Sequence, residues 1–393
     1  MATTTEIETR KIECFTPTFT SIPVLDLSLA QSPVTKPKFL SKLRDALVMV
    51  GFFYLKNTSI PENVEETFVE RSKAFLDLDV EKKLEIDMIN SKHFLGYSRL
   101  GCEKTARETD NREMVDFLTP LPAPGPDEPV YLNVQGPNQW PDESAVPGFR
   151  CALETYLAAV GRLGDVMKTL VAEALDLEST ALAKFFNDPP RNKVSLLKYP
   201  PPLSPLHSKD DNEGTTRGDS QGVGPHKDGG FLTYLLQATP HACLEAQNKS
   251  GMWIPVPPIP GTLVVNVGRS LESMTGGVCT AATHRAKLRW ESFVDSKGNF
   301  LGPRFSFPVF QTLKLDLNHA ELSSLRLPAH IANLVKDEKV KSDAEAFFAK
   351  YHLQSPGKGI FTARLTSHPD VGQRWYPEEL KQALKGQEEF QSS

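Results

Sequence analysis

Two clusters of side chains in this sequence have the residue types and spacing to do chemistry around a bound cation. His226-Lys227-Asp228 sets an imidazole and a carboxylate two residues apart, so that on an extended strand both project from one face. Downstream, Gly261 to Gly268 reads as a buried strand, Thr275-Gly276-Gly277 as a turn, and Thr283-His284-Arg285 follows, with enough chain between to bring His284 back to the same point. Two imidazoles and one carboxylate form the facial set that holds non-haem Fe(II) and leaves three coordination positions open. The same donors suit zinc with a bound water, and the residues alone leave that choice open. The second cluster is Arg304-Phe305-Ser306, which again alternates and puts a guanidinium and a hydroxyl on one face. That pair can grip a carboxylate, the guanidinium through a bidentate fork.

These residues need strands to hold them and helices to support the strands. Ile22 to Leu27 alternates as a short strand, Pro37 to Val50 carries apolar residues at helical spacing with Gly51 to end it, and Phe52 to Leu55 is a buried strand. A second helix is expected over Pro61 to Leu76, with proline in its first turn and Glu62, Glu65 and Glu66 where the helix dipole favours acid. His93 to Arg99 is a strand-like segment, and residues 119 to 148 are a Pro- and Gly-rich loop. The stripe Leu153, Tyr156, Leu157, Val160, Leu163, Met167, Leu170, Val171 marks a long helix from about Pro147 to Leu175, a support packed outside the sheet. Ser195 to Tyr199 is a strand leading to the site, and the polar, glycine-rich stretch 208–223 is either a solvated insertion or a lid before His226. A hairpin tip is expected at Asp295 to Asn299, and helices over Leu325 to Tyr351 and Trp375 to Leu384. His93, His207, His241, His319, His330, His352 and His368 lack a partner pattern and read as surface or satisfied core.

Composition narrows the class. The chain has 393 residues, is 39% hydrophobic and 24% charged, and carries a net charge of −5. Such a chain is expected to be a soluble globular protein with a substantial core. The acidic balance argues against a nucleic-acid partner, and no apolar run is long enough to span a membrane. Five scattered cysteines with no C-x-x-C pair indicate neither a disulfide framework nor a zinc site, and with no secretory signal at the start the cytoplasm is the expected location. Oligomeric state is not legible.

The ordered set His-x-Asp, distant His and Arg-x-Ser, with Gly229-Gly230-Phe231-Leu232-Thr233 after the first ligands, resembles the Fe(II)/2-oxoglutarate-dependent dioxygenases. More narrowly it is similar to the subfamily that includes isopenicillin N synthase. Ile22-Pro23-Val24-Leu25-Asp26-Leu27, Gly51-Phe52-Phe53-Tyr54-Leu55, Lys198-Tyr199-Pro200-Pro201, Trp253-Ile254-Pro255-Val256 and Asn266-Val267-Gly268-Arg269-Ser270-Leu271-Glu272 continue the likeness over roughly residues 20 to 312. Ser367 to Gly372 with Trp375-Tyr376-Pro377 is similar to fungal members, many of which act in secondary metabolism.

The resemblance implies a mainly β fold with flanking helices, a double-stranded β-helix or jelly roll. It implies a loose arm over 1–20, an N-terminal α/β region over 21–190 packing on the core, a catalytic core over 191–315 and a helical cover over 316–393. It also implies Fe(II) at His226, Asp228 and His284, with 2-oxoglutarate and O2 as co-substrates and Arg304, Ser306 and Tyr199 at 2-oxoglutarate. Phe94, Tyr97, Arg99, Phe231, Asn266 and Arg269 are the residues it places near a small-molecule substrate. The implied reaction couples decarboxylation of 2-oxoglutarate to hydroxylation, desaturation or ring formation in a small metabolite. Two alternatives stay open: an oxidase of the isopenicillin N synthase kind that uses no 2-oxoglutarate, and a catalytically silent binding protein on the same scaffold. Aminocyclopropane-carboxylate oxidases are disfavoured, because Ser195 stands where they carry a lysine.

Overall fold

A computed structural model describes residues 18–105, 108–202, 220–335, 340–344 and 355–391. Among the described residues fourteen strands form in chain order: β1 (Val24–Asp26), β2 (Phe52–Lys56), β3 (Gly96–Ser98), β4 (Lys104–Thr105), β5 (Glu108–Thr109), β6 (Glu113–Leu118), β7 (Asn192–Tyr199), β8 (Ser220–His226), β9 (Leu232–Gln237), β10 (Leu244–Gln247), β11 (Trp253–Pro255), β12 (Thr262–Val267), β13 (His284–Leu288) and β14 (Arg304–Gln311). The major sheet has the order β1-β2-β12-β9-β14-β7-β6-β3, and the minor sheet is β11-β10-β13-β8. The two sheets form the jelly roll. The amino-terminal region does more than pack on the core, since β2 hydrogen-bonds to β12 and β6 to β7 inside the major sheet.

The alternation of β7 divides the core in two. Val194 and Leu196 join the helix-side core, where the helix Phe149–Ala174 buries the apolar stripe read from its sequence. Phe68 of the helix Glu62–Leu76 stacks on Tyr156 there at 4.0 Å between ring centroids. Leu197 and Tyr199 point the other way, into the roll, beside Val223 of β8 and Ala286 and Leu288 of β13. Burying a large side chain stabilises by about 1.5 to 3 kcal/mol, so both faces of β7 anchor it firmly. Gly51 ends the first helical segment in the left-handed region, at φ 75°, and a Cβ there would sit 2.1 Å from the carbonyl oxygen of Thr280. Only glycine allows that turn into β2.

Several boundaries differ from the sequence expectation for physical reasons. β13 and β14 lie in opposite sheets, so the strand of His284 does not pair with the strand of Arg304, and the long connection between them carries the chain across the roll. Its expected hairpin tip is present, closed by the amide of Asp295 on the carbonyl of Asn299 at 2.9 Å. The helix expected from Trp375 is broken at Tyr376, because Pro377 cannot continue a helix and instead opens a new one, Pro377–Gln391, after Pro369–Trp375. With the helix Pro356–Ser367, these cover the roll: Phe361, Leu365 and Tyr376 pack with Phe94.

The end of the 208–223 stretch is strand, since β8 begins at Ser220, while its remainder lies outside the described residues. So do the first seventeen residues of the arm and, of the helices expected over Leu325 to Tyr351, residues 336–339 and 345–351. The four cysteines among the described residues are free. No helix among those residues is long and apolar enough to cross a membrane.

Candidate metal and co-substrate site

His226 ends β8 directly opposite His284 at the start of β13. The register between the two strands shifts just beyond this pair, an irregularity of the kind that re-aims side chains. The imidazole rings lie 4.3 Å apart, centroid to centroid. The Nδ1 of His226 contacts the carbonyl of Gly224 at 2.8 Å, and that of His284 contacts the carbonyl of Ala282 at 3.2 Å. A carbonyl only accepts, so both protons belong on Nδ1 and both Nε2 lone pairs are left free, the tautomer a metal ligand requires.

Asp228 is not on the strand. β8 stops at His226, and the loop that follows is clamped by the chain after β12: the amide of Arg269 donates to the carbonyl of Asp228 at 2.7 Å, and the amide of Ser270 to that of Gly230 at 3.1 Å. Gly268 approaches so closely that a Cβ would fall 2.0 Å from the Gly230 oxygen. On the side chain, Oδ2 accepts from Thr233 Oγ1 at 2.6 Å and Asn266 Nδ2 at 2.8 Å. This leaves Oδ1 facing the imidazoles, 3.6 Å from each Nε2. All three donor atoms lie within 4.8 Å of one another, a span that one cation can bridge.

The electrostatics suit a cation. Burial, then the neighbouring imidazole of His284, push the pKa of His226 down to about 4, so it is neutral and can ligate at physiological pH. Burial opposes ionisation of Asp228. The two imidazoles and the bonds from Asn266 and Thr233 outweigh it and hold the carboxyl below its usual value. Phe52 packs edge-on against the His284 ring at 5.1 Å and restricts its orientation.

Across the roll, Arg304 on β14 is paired in register with Tyr199 on β7. Its guanidinium sits 4.7 Å above the Tyr199 ring and is 2% exposed. Nη2 reaches Ser306 Oγ at 3.3 Å, whereas Nη1 is buried without a hydrogen-bond partner. No carboxylate among the described residues pairs with this guanidinium. A buried, unpaired guanidinium is costly, so the arrangement fits an anionic ligand that completes it.

Comparison with known proteins bears on which anion that is. The 2OG-Fe(II) oxygenase superfamily profile matches residues 191–311, and the non-haem dioxygenase N-terminal profile, described for morphine synthesis, matches residues 22–143. A 2-oxoglutarate-dependent dioxygenase of Gibberella zeae is 46% identical over 371 residues, covering 94% of this chain and 95% of its own. The chain belongs to the 2-oxoglutarate/Fe(II)-dependent dioxygenases. As such an enzyme it uses Fe(II), 2-oxoglutarate and O2, and the donor set above fits that metal. A second 2-oxoglutarate-dependent dioxygenase, from Dothideomycetidae sp., is 42% identical, covering 92% of this chain and 94% of its own. A full-length Neurospora crassa protein, crystallised with alpha-KG and thymine, shares the fold of this dioxygenase at a TM-score of 0.62, with 23% identity and coverage of 83% of this chain and 96% of its own.

The residues expected near the substrate scatter. Phe94 lines a cavity that also includes Gly229 and Gly230, the two residues after Asp228. Asn266 donates to the Asp228 carboxylate at 2.8 Å. Arg269 is engaged with Glu272 at 2.6 Å and Asp343 at 2.7 Å. Tyr97 is buried in the helix-side core with its hydroxyl donated to Glu113, Arg99 is exposed beside Asp87, and Phe231 is buried edge-on against Phe186. Phe231 turns away because its amide is tied to the Gln311 carbonyl at 2.9 Å, which directs the ring to the helix side. Thr233, by contrast, was legible within the Gly-Gly-Phe-Leu-Thr motif, yet its role depends on a contact across the loop that spacing alone does not show.

Proposed function

We propose that this dioxygenase oxidises a small organic metabolite, of the kind made in fungal secondary metabolism. In this reading His226, Asp228 and His284 bind Fe(II), and Arg304, Ser306 and Tyr199 bind the distal carboxylate of 2-oxoglutarate. The observation that carries it is the unpartnered, buried Nη1 of Arg304, on the sheet opposite the one that bears His226 and His284. The source of the near-full-length relatives supports the fungal setting. When bound, Fe(II) and 2-oxoglutarate supply the chemistry: O2 is reduced as 2-oxoglutarate goes to succinate and CO2 and the second substrate is oxidised.

The protein's part is positional. The carbonyls of Gly224 and Ala282 fix the imidazole tautomers, and Asn266 and Thr233 fix the carboxylate, so the ligands are set before any metal arrives. Arg304, held flat over Tyr199, presents its fork in one orientation and so fixes the co-substrate at its far end. The apolar packing around Leu197, Tyr199, Val223 and Leu288 keeps water from the interior of the roll.

Oxygen uptake and succinate release, each measured with and without 2-oxoglutarate after anaerobic loading with Fe(II), test the reading. Uptake that ignores 2-oxoglutarate would point to the oxidase alternative, and failure to retain Fe(II) to the silent scaffold.

A further inference from the structure

The cavity beyond the metal loop has a chemical character of its own. Its volume is about 180 Å³. Gly229 and Gly230 form the side next to Asp228, and Phe94, Phe310 and Ile360 supply an apolar wall. Three cations also line it: Arg191, Lys193 and Arg364. Asp116, which is fully buried, is the carboxylate bonded to two of them, and the charge of Glu103 also acts on Lys193 and Arg364. Asp116 bonds to Lys193 at 2.8 Å and to Arg364 at 2.5 Å, and so accounts for those two.

It does not account for Arg191. That guanidinium is 4% exposed and donates only to neutral acceptors, Thr312 Oγ1 at 3.0 Å and the Val134 carbonyl at 2.6 Å, while its Nε has no partner. Burial and then the nearby charge of Arg364 push its pKa down to about 9, the mark of a cation held without an anion. A structural arginine in such a place would normally be paired, because an uncompensated buried charge is expensive.

Position links this charge to the reaction site. Lys193 pairs with Phe310 in the register that pairs Tyr199 with Arg304, so the two pairs share one face of β7 and β14 and stand at opposite ends of it. We propose that the cavity receives the prime substrate through an oxyanion seated on Arg191, with Lys193 and Arg364 beside it, so that the substrate is an organic acid whose apolar body lies against Phe94 and Phe310. This names the substrate class for the site above and rests on that reading for where the oxidised carbon lies. A carboxylate and a phosphate ester offer the same oxyanion chemistry, and the test separates them.

The probes are phenylacetate, phenylacetamide and phenyl phosphate, titrated calorimetrically into the anaerobic Fe(II) enzyme with saturating 2-oxoglutarate, which occupies Arg304. The acid or the phosphate ester should bind about ten- to a hundredfold more tightly than the amide, the difference that charge-assisted bonds confer. Whichever of the two binds identifies the oxyanion. Arg364→Gln and Arg191→Gln should each shrink that preference without weakening 2-oxoglutarate. Should Arg191→Gln not fold, the wild-type comparison and Arg364→Gln still decide. Equal affinity for charged and neutral probes, including no binding of any, overturns the proposal, as does a preference that survives both substitutions. If 2-oxoglutarate itself fails to bind the Fe(II) enzyme, it is the assignment of Arg304 that falls, a result read in the same sample before any probe is added.

Discussion

Two cations over aromatic rings stand at opposite ends of the same strand pair, Arg304 over Tyr199 and Lys193 over Phe310, at 4.7 and 4.8 Å. Their surroundings differ. At the Arg304 end no carboxylate of the described residues reaches the guanidinium, and opposite it the Asp228 carboxylate faces two imidazoles that carry no charge when neutral. At the Lys193 end Asp116 is bonded to two cations and to Ser195. The first end therefore holds charges that are not paired with each other, and the second holds one charge cluster that is partly closed and one guanidinium that is not. Sites that wait for ligands give up stability, and sites closed by the chain itself supply it.

The largest expected effect breaks the metal end. His284→Ala, and equally His226→Ala or Asp228→Ala, should reduce Fe(II)-dependent succinate release to background with the fold retained, since two remaining ligands hold Fe(II) poorly. Measuring succinate alongside a thermal midpoint separates lost metal from lost structure, and full activity in His284→Ala would remove the ligand assignment.

The comparison sharpens when one carboxylate is removed from each end of the metal-free protein. Asp116→Asn removes the anion bonded to both Lys193 and Arg364 and should lower stability by about 3 to 5 kcal/mol. Asp228→Asn leaves no cation without its anion, and its amide oxygen can still accept from Thr233 and Asn266, so the midpoint should fall by less than in Asp116→Asn. The pH dependence gives a second readout. Burial alone would raise the pKa of Asp116, but Lys193 and Arg364 overcome it and hold the carboxyl at about 2. A depressed folded pKa means stability present above the unfolded value of about 4 and lost as pH falls toward 2. Wild type should lose that increment on acidification, and Asp116→Asn should not.

How legible each end was in the sequence follows from the same contrast. His226, Asp228, Arg304 and Ser306 sit in pairs two residues apart, so short spacing announced them, and the order of the motifs announced His284. The reason given for Asp228 was nevertheless incomplete: strand alternation does not place it, and the clamp by Arg269 and Ser270 does. The motif that contains Asn266 fixes its position in the chain and not the Asp228 oxygen it meets. The cation cavity left no local signal at all. Asp116, Arg191 and Arg364 come from β6, the approach to β7 and a C-terminal helix, and only the packing of that helix over the roll brings them together.

The remaining effects concern 2-oxoglutarate. Arg304→Lys keeps the charge and loses the planar fork and the flat stacking on Tyr199, so the KM for 2-oxoglutarate should rise by roughly one to two orders of magnitude, about 1.4 to 2.7 kcal/mol, less than the roughly 3 to 5 kcal/mol for breaking a buried pair outright. The KM for the prime substrate should change little if that substrate is anchored at the Arg191 end. Comparable rises in both constants would mean that one site serves both molecules, and the contrast between the two ends would fail.

Ser306→Ala is the smallest change and discriminates most finely. Ser306 Oγ accepts from Arg304 Nη2 at 3.3 Å, a long bond between buried groups, and the hydroxyl proton remains free to donate to a bound carboxylate. Deleting it removes about 1 kcal/mol of hydrogen bonding, or roughly a fivefold rise in the KM for 2-oxoglutarate. It also frees Nη2, so if the hydroxyl served only to steady Arg304, thermal stability would fall and the KM would stay put. If it reaches the co-substrate, the KM rises with stability nearly unchanged, and in the Arg304→Lys background the added effect shrinks, because two groups on one carboxylate are not independent. Full additivity of the two substitutions would place Ser306 on something other than the carboxylate that Arg304 holds.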